Sequence, residues 1–227
     1  MRRLISLGMA GAVTLWILTL GGKAVADVSP LEVIARLQAQ YDKSTGLKAW
    51  FHQESRLKAA AQGEEAEGWM YFQKPLMMRW EYKNPPGQKK EIISNGRQVW
   101  VYIPQDRLAL VYPLHQVLRS DLVLRFFSGM GKLSQDFNIA WHRPPTEGSS
   151  YVIDLTPHKP QMELKQLTLT VNPKTYQVER LEFSNALGEE TRFTFSQIHL
   201  DFHAPPGFFT FTPPPGVQVV QEGPGPG

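Results

Sequence analysis

From Leu47 to Phe202 the apolar residues recur at every second position in short runs, a period that belongs to half-buried strands and not to helices. Candidate strands cover residues 47–58, 67–73, 76–83, 89–94, 98–103 and 108–112, and after an interruption 137–142, 151–156, 164–171, 177–185 and 191–202. Gly63, Asn84-Pro85-Pro86-Gly87, Asn95-Gly96, Gln105-Asp106, Asn172-Pro173-Lys174 and Leu187-Gly188-Glu189 break the runs. Joints this short make consecutive strands antiparallel, because a parallel pair needs a crossover of roughly a dozen residues. About eleven strands at this spacing predict one mainly β (α+β) domain, a barrel or a sandwich.

Such a sheet has a dry face that must be covered. Leu167, Leu169 and Val171 alternate with Thr168 and Thr170, and Leu76, Met78, Trp80 and Tyr82 alternate with Arg79, Glu81 and Lys83. Helical cover is available at two places. Ser29-Pro30-Leu31-Glu32 reads as a capped helix start, with Leu31, Ile34, Leu37 and Tyr41 on one side and Gly46 as the expected stop. Between Leu114 and Leu133 the residues Leu118, Leu122, Leu124, Phe126 and Phe127 predict one or two short helices. Near the end, Phe193 and Phe195 are out of phase with Ile198 and Leu200, which predicts a bulge at Ser196-Gln197.

The first 26 residues read as a cleaved signal peptide: Arg2 and Arg3, an uncharged run from Leu4 to Gly22, then Ala24-Val25-Ala26 before Asp27. Residues 27–221 are the expected domain, and residues 222–227 a Gly/Pro tail that does not pack. The net charge of +3 leaves with the leader, since losing Arg2, Arg3 and Lys23 takes 24 cations down to 21, against 21 anions. A neutral chain with no basic stripe excludes nucleic acid as a partner. The absence of cysteine excludes disulfides, thiolate metal sites, a cysteine nucleophile and lipidation of the mature N-terminus. An exported chain with no lipid of its own is expected in the periplasm of a Gram-negative cell.

Catalytic signatures are not found: there is no Gly-x-Ser-x-Gly elbow, phosphate-binding glycine loop or His-Glu-x-x-His helix. Glu64, Glu65, Glu67, Glu189 and Glu190 flank turns, where solvated charges are ordinary. His199, Asp201 and His203 could share a strand face as metal ligands. Because Ile198, Leu200 and Phe202 take the opposite, apolar face, these three are expected to point to solvent, and no metal or cofactor is expected.

What stands out is the texture of the dry face. Met70, Phe72 and Lys74 share one side of a strand, and Met78, Trp80 and Tyr82 one side of the next. Methionine adapts to irregular apolar cargo, and a lysine at the rim is unusual for a closed core. On "FHQESRL", "YFQKPLMMRWEYKNPPGQKKEIISNGRQVWVYIPQDRLALVYPL", "NALGEETRFTFSQIHL" and "FTFTPPPGVQVV" the chain resembles the outer-membrane lipoprotein carrier (LolA) family over most of its mature length.

The resemblance implies an unclosed antiparallel half-barrel with a helical lid over an apolar cavity. Its expected lining is Met70, Phe72, Met78, Trp80, Tyr82, Trp100, Leu110, Leu122 and Phe126. It implies a monomeric, non-enzymatic carrier that takes lipoprotein acyl chains from an inner-membrane ABC-type releasing transporter and hands them to an outer-membrane receptor. Lys74 stands where the family has an arginine that latches the lid, replacing a planar fork by a point charge. The alternative readings are a LolA-like carrier or sensor for another lipid or glycolipid, and an enzyme on the same scaffold using His199, Asp201 and His203.

Overall fold

In a computed structural model, which describes residues 28–57, 63–85, 89–117, 133–160, 162 and 164–221, the chain enters the fold at the expected helix start. Helix α1 spans Pro30–Lys43, with the Glu32 N–H donating to Ser29 Oγ at 3.1 Å. Val33, Ile34 and Leu37 are fully buried, whereas Leu31 falls off the buried stripe and is 54% exposed. Gly46 does not stop the helix. Ser44 caps it through its N–H to the Gln40 carbonyl, and Gly46 opens the first strand. A Cβ there would lie 2.2 Å from the Phe202 carbonyl oxygen and 2.8 Å from that of Phe72, so the glycine answers to a close approach of backbones.

The strands are β1 (Gly46–Leu57), β2 (Glu64–Gln73), β3 (Met77–Asn84), β4 (Lys90–Asn95), β5 (Gln98–Ile103) and β6 (Leu108–Pro113). Short helices α2 (Leu114–Val117) and α3 (Leu133–Asp136) follow, then β7 (Phe137–Trp141), β8 (Tyr151–Pro157), β9 (Gln166–Val171), β10 (Val178–Ser184), β11 (Glu189–Leu200) and β12 (Gln218–Gln221). All belong to one sheet ordered β12-β6-β5-β4-β3-β2-β1-β11-β10-β9-β8-β7, which does not close on itself. The eleven expected strands are present. The addition is β12, which pairs parallel to β6 and so breaks the all-antiparallel expectation. Leu122 and Phe126, the expected leader and the tail after Gln221 lie outside the described residues.

Three register shifts bend the sheet: between Lys48 and Trp50 against β11, between Glu67 and Gly68 against β3, and between Val178 and Arg180 against β9. The first coincides with Gln197 at φ 50°, where the change of phase in β11 places a bulge. One face, here the inner face, carries α1 and the main core: Leu47, Ala49, Phe51, Met70, Phe72 and Met78 join Ile153, Leu155, Leu167, Leu169, Val171 and Leu181.

The outer face has a cover that the sequence pattern does not announce. After β11 the chain returns across it, laying Phe208 on Tyr71 (ring centroids 4.9 Å apart) and Phe211 on Tyr102 (5.1 Å). Arg79 ties this return to the sheet by donating to the Phe208 carbonyl at 3.0 Å and to Glu91 at 2.6 Å. Its Nε lies 2.9 Å from Glu81, an ion pair whose angle is too poor for a hydrogen bond.

Candidate functional site

Cross-strand pairing assembles the apolar strip of the inner face. Phe72 is opposite Met78, Met70 opposite Trp80, Trp80 opposite Ile92, Ile92 opposite Val101 and Val101 opposite Leu110. Phe51 reaches Trp80 and Tyr82 edge-on at 4.9 and 5.0 Å, and Phe193 extends the cluster at 5.4 Å from Trp80. Tyr82 approaches Phe51 across Gly68, the residue paired with both.

The inner face has two different halves. On β8, β9 and β10, the part of the sheet beside the β7 end on which α1 packs, Ile153, Leu155, Leu167, Leu169, Val171 and Leu181 are 0 or 1% exposed. Across β3 to β6 the strip of Trp80, Tyr82, Ile92, Val101 and Leu110 is only half-buried. The first group is closed core; the second is less buried, although Met78 and Val99 on the same half of the inner face are 6 and 0% exposed and join the core.

The expected lining divides accordingly. Met70, Phe72 and Met78, at 1, 5 and 6% exposure, belong to the core shared with Val33, Ile34 and Leu37 of α1. Trp80, Tyr82 and Leu110 lie on the half-buried strip. Trp100 does not join them: it pairs with Ile93 and Val111 in the opposite phase and faces Phe211 on the outer face. Ile92 and Val101 belong to the strip, with Phe51 packed fully buried beneath it and Phe193 beside it, and all four are absent from the expected lining. Their phase relative to Trp80 is the signal that would have found them.

At one end of the strip, Lys74 Nζ donates to the carbonyls of Tyr41 (3.0 Å) and Asp42 (2.7 Å) in the last turn of α1. Those carbonyls have no partner within the helix and carry its negative dipole end, so an ammonium group suits them. The same turn is held from the sheet by the Val178 N–H donating to the Tyr41 hydroxyl at 3.3 Å. Burial pushes the Tyr41 phenol up to about 12.

At the other end, the Tyr82 hydroxyl donates to Gln53 Oε1 at 3.0 Å, and the Gln53 amide donates to Ser55 Oγ at 2.9 Å. Burial pushes Tyr82 up to about 12 as well. Lys90, cross-strand from Tyr82, holds its ammonium 4.3 Å from the centre of the tyrosine ring. Burial lowers its pKa, with Glu64 acting in the opposite direction.

Asp201 and His203, but not His199, serve the connection of α1 to β1. Asp201 accepts from the Thr45 N–H at 3.3 Å, the His203 Nδ1–H donates to the Asp201 carbonyl at 2.7 Å, and His203 Nε2 lies 3.3 Å from Thr45 Oγ1. His199 is exposed on β11 opposite Lys48. No group of three or more metal-ligating side chains is found among the described residues. A cleft of about 810 Å³ opens near the β1–β2 and β10–β11 connections, but Glu54, Arg56, Glu65, His142, Glu182 and Arg192 line it, a setting for water and ions and not for hydrocarbon.

An unclosed sheet with an apolar inner face, part of it half-buried, beside a helix hydrogen-bonded to Lys74 defines a half-barrel fold. The sequence model of the family described as outer membrane lipoprotein carrier protein LolA matches residues 42–212, and the chain belongs to that family. An outer-membrane lipoprotein carrier protein of Pseudomonas paraeruginosa is 26% identical over 201 residues, covering 88% of this chain and 93% of the relative. One from Methylococcus capsulatus is 27% identical over 210 residues, covering 92% and 96%. Among solved structures, an uncharacterized conserved protein from Thermus thermophilus aligns with a TM-score of 0.53 at 13% identity, covering 84% of this chain and 98% of that one, a likeness of fold alone.

Proposed function

We propose that this protein is a periplasmic carrier that shields the acyl chains of lipoproteins on the strip of Trp80, Tyr82, Ile92, Val101 and Leu110. The carrying observation is that strip itself, apolar, half-buried and built into the inner face next to a helix held by hydrogen bonds that can break. Burying a methylene is worth about 0.8 kcal/mol, so an acyl chain in water costs on the order of 10 kcal/mol. A lipoprotein carries three such chains and cannot cross an aqueous compartment without cover.

In this reading the cargo comes from an inner-membrane ABC-type releasing transporter and goes to an outer-membrane receptor, which the family resemblance implies; the names of the relatives support the lipoprotein-carrier role alone. The protein contributes binding and release and needs no catalytic group. Depletion in the native host followed by membrane fractionation tests it. Outer-membrane lipoproteins should accumulate on the inner membrane; unchanged sorting, or lipid mass spectrometry of the purified protein showing a glycolipid in place of acylated protein, would overturn the lipoprotein assignment.

A further inference from the structure

We propose that Lys90, with Tyr82 and Gln53, forms a polar subsite at the open end of the strip that takes the carbonyl or carboxylate oxygens at the head of an acyl chain. The inference rests on the carrier reading and adds to it an orientation for the chain: head at Lys90, tail along Trp80, Ile92 and Val101.

Three observations converge on this end. The register places Lys90 on the inner face, in phase with Ile92 and opposite Tyr82, so its charge stands on the apolar side of the sheet. Lys83, by contrast, faces the other side, where it pairs with Glu81 at 3.0 Å. Lys90 has no carboxylate within ion-pairing distance among the described residues, and its ammonium lies over the Tyr82 ring.

The hydrogen-bonding inventory is also one-sided. The Tyr82 proton is committed to Gln53, and one Gln53 amide proton to Ser55, which leaves the Lys90 ammonium as the main donor facing the strip. A small cleft of about 90 Å³ joins Gln53, Tyr82 and Lys90 with two carboxylates, Glu64 and Glu65, at its rim, room for a head and not for a tail. Partial burial strips water from this ammonium, and an incoming oxygen would replace it. Glu64 at the rim opposes the lowering that burial causes, and its charge disfavours a head bearing several negative charges, which selects a single carbonyl or carboxylate over a phosphate.

The test is fluorescence titration of the purified full chain with three probes of similar length: cis-parinaric acid, its methyl ester, and the oxygen-free diphenylhexatriene. In Lys90→Leu the acid should bind about tenfold or more weakly and the ester should lose less, while diphenylhexatriene changes by less than about twofold; Lys90→Arg should keep the wild-type order. Equal weakening of all three probes, or of none, would overturn the subsite. If the wild-type chain binds none of them, the carrier reading itself fails, a separate outcome. Competition separates the sources of the head group: a triacylated lipopeptide displacing parinaric acid from wild type but poorly from Lys90→Leu assigns it to lipoprotein, and displacement by palmitate alone assigns it to a free fatty acid.

Discussion

At the residue scale the two ends of the strip are set by lysines in different roles. Lys74 gives charge-assisted hydrogen bonds to two helix carbonyls, which hold the end of α1 to the β2–β3 turn by about 1–3 kcal/mol and in the proposed carrier would be the latch of the empty state. Removing them should favour the loaded, unlatched form, because only a difference in affinity between two states moves an equilibrium. Lys74→Leu is therefore expected to slow cargo release more than uptake, and Lys74→Arg to preserve both, measured by transfer of a fluorescent lipopeptide to vesicles; equal effects on the two steps would remove the latch. Two tyrosines give a second prediction. Tyr41 and Tyr82 are pushed up to about 12 in the fold, above the ordinary value of 10.0. Each supports the fold fully below pH 10, and the contribution, on the order of 2–3 kcal/mol, is lost as pH rises towards 12. Circular dichroism along an alkaline titration should show unfolding in that window for the wild type, shifted upward in Tyr41→Phe with Tyr82→Phe.

At the scale of the element, Gly68 shows how the inner face is shaped by absence. A Cβ on Gly68 would stand 1.9 Å from the Glu81 carbonyl oxygen, at the register shift between β2 and β3. Gly68→Ala must push the two strands apart and should cost about 2–4 kcal/mol, seen as a lower Tm, with weaker binding of an apolar probe as Phe51 and Tyr82 separate. Most elements are legible in the sequence because each rests on local information: alternation for β1 to β11, and Ser29-Pro30 with Glu32 for α1. The bulge at Gln197 is legible from a change of phase. What escapes depends on distant partners. Gly46 looks like a helix stop because its close neighbours, Phe72 and Phe202, lie far along the chain. The four residues of β12 are too few to show a period and gain their strand only from β6. Trp100 reads as an inner residue because β5 is apolar on both faces, Val99 and Val101 against Trp100 and Tyr102, and nothing local says that Phe211 covers the second pair.

At the scale of the whole molecule, one sheet performs two tasks by being covered unevenly. Helix α1 packs beside β7 and shares one closed core with β8, β9 and β10, and the returning C-terminal chain covers part of the outer face through Phe208, Phe211 and Arg79. On the β3–β6 half of the inner face Met78 and Val99 are buried, but Trp80, Tyr82, Ile92, Val101 and Leu110 stay half-buried, which a sheet built only for stability would hide. The proposed function requires that acyl chains lie on that half. Placing a photoactivatable benzophenone side chain singly at Ile92, Leu110 and Trp100, loading the protein with a triacylated lipopeptide, and locating adducts by mass spectrometry tests it most directly. Adducts to the acyl chains from Ile92 and Leu110, with none from Trp100, are the predicted result; acyl adducts from Trp100 alone, or from none of the three positions in a protein shown to be loaded, would contradict it.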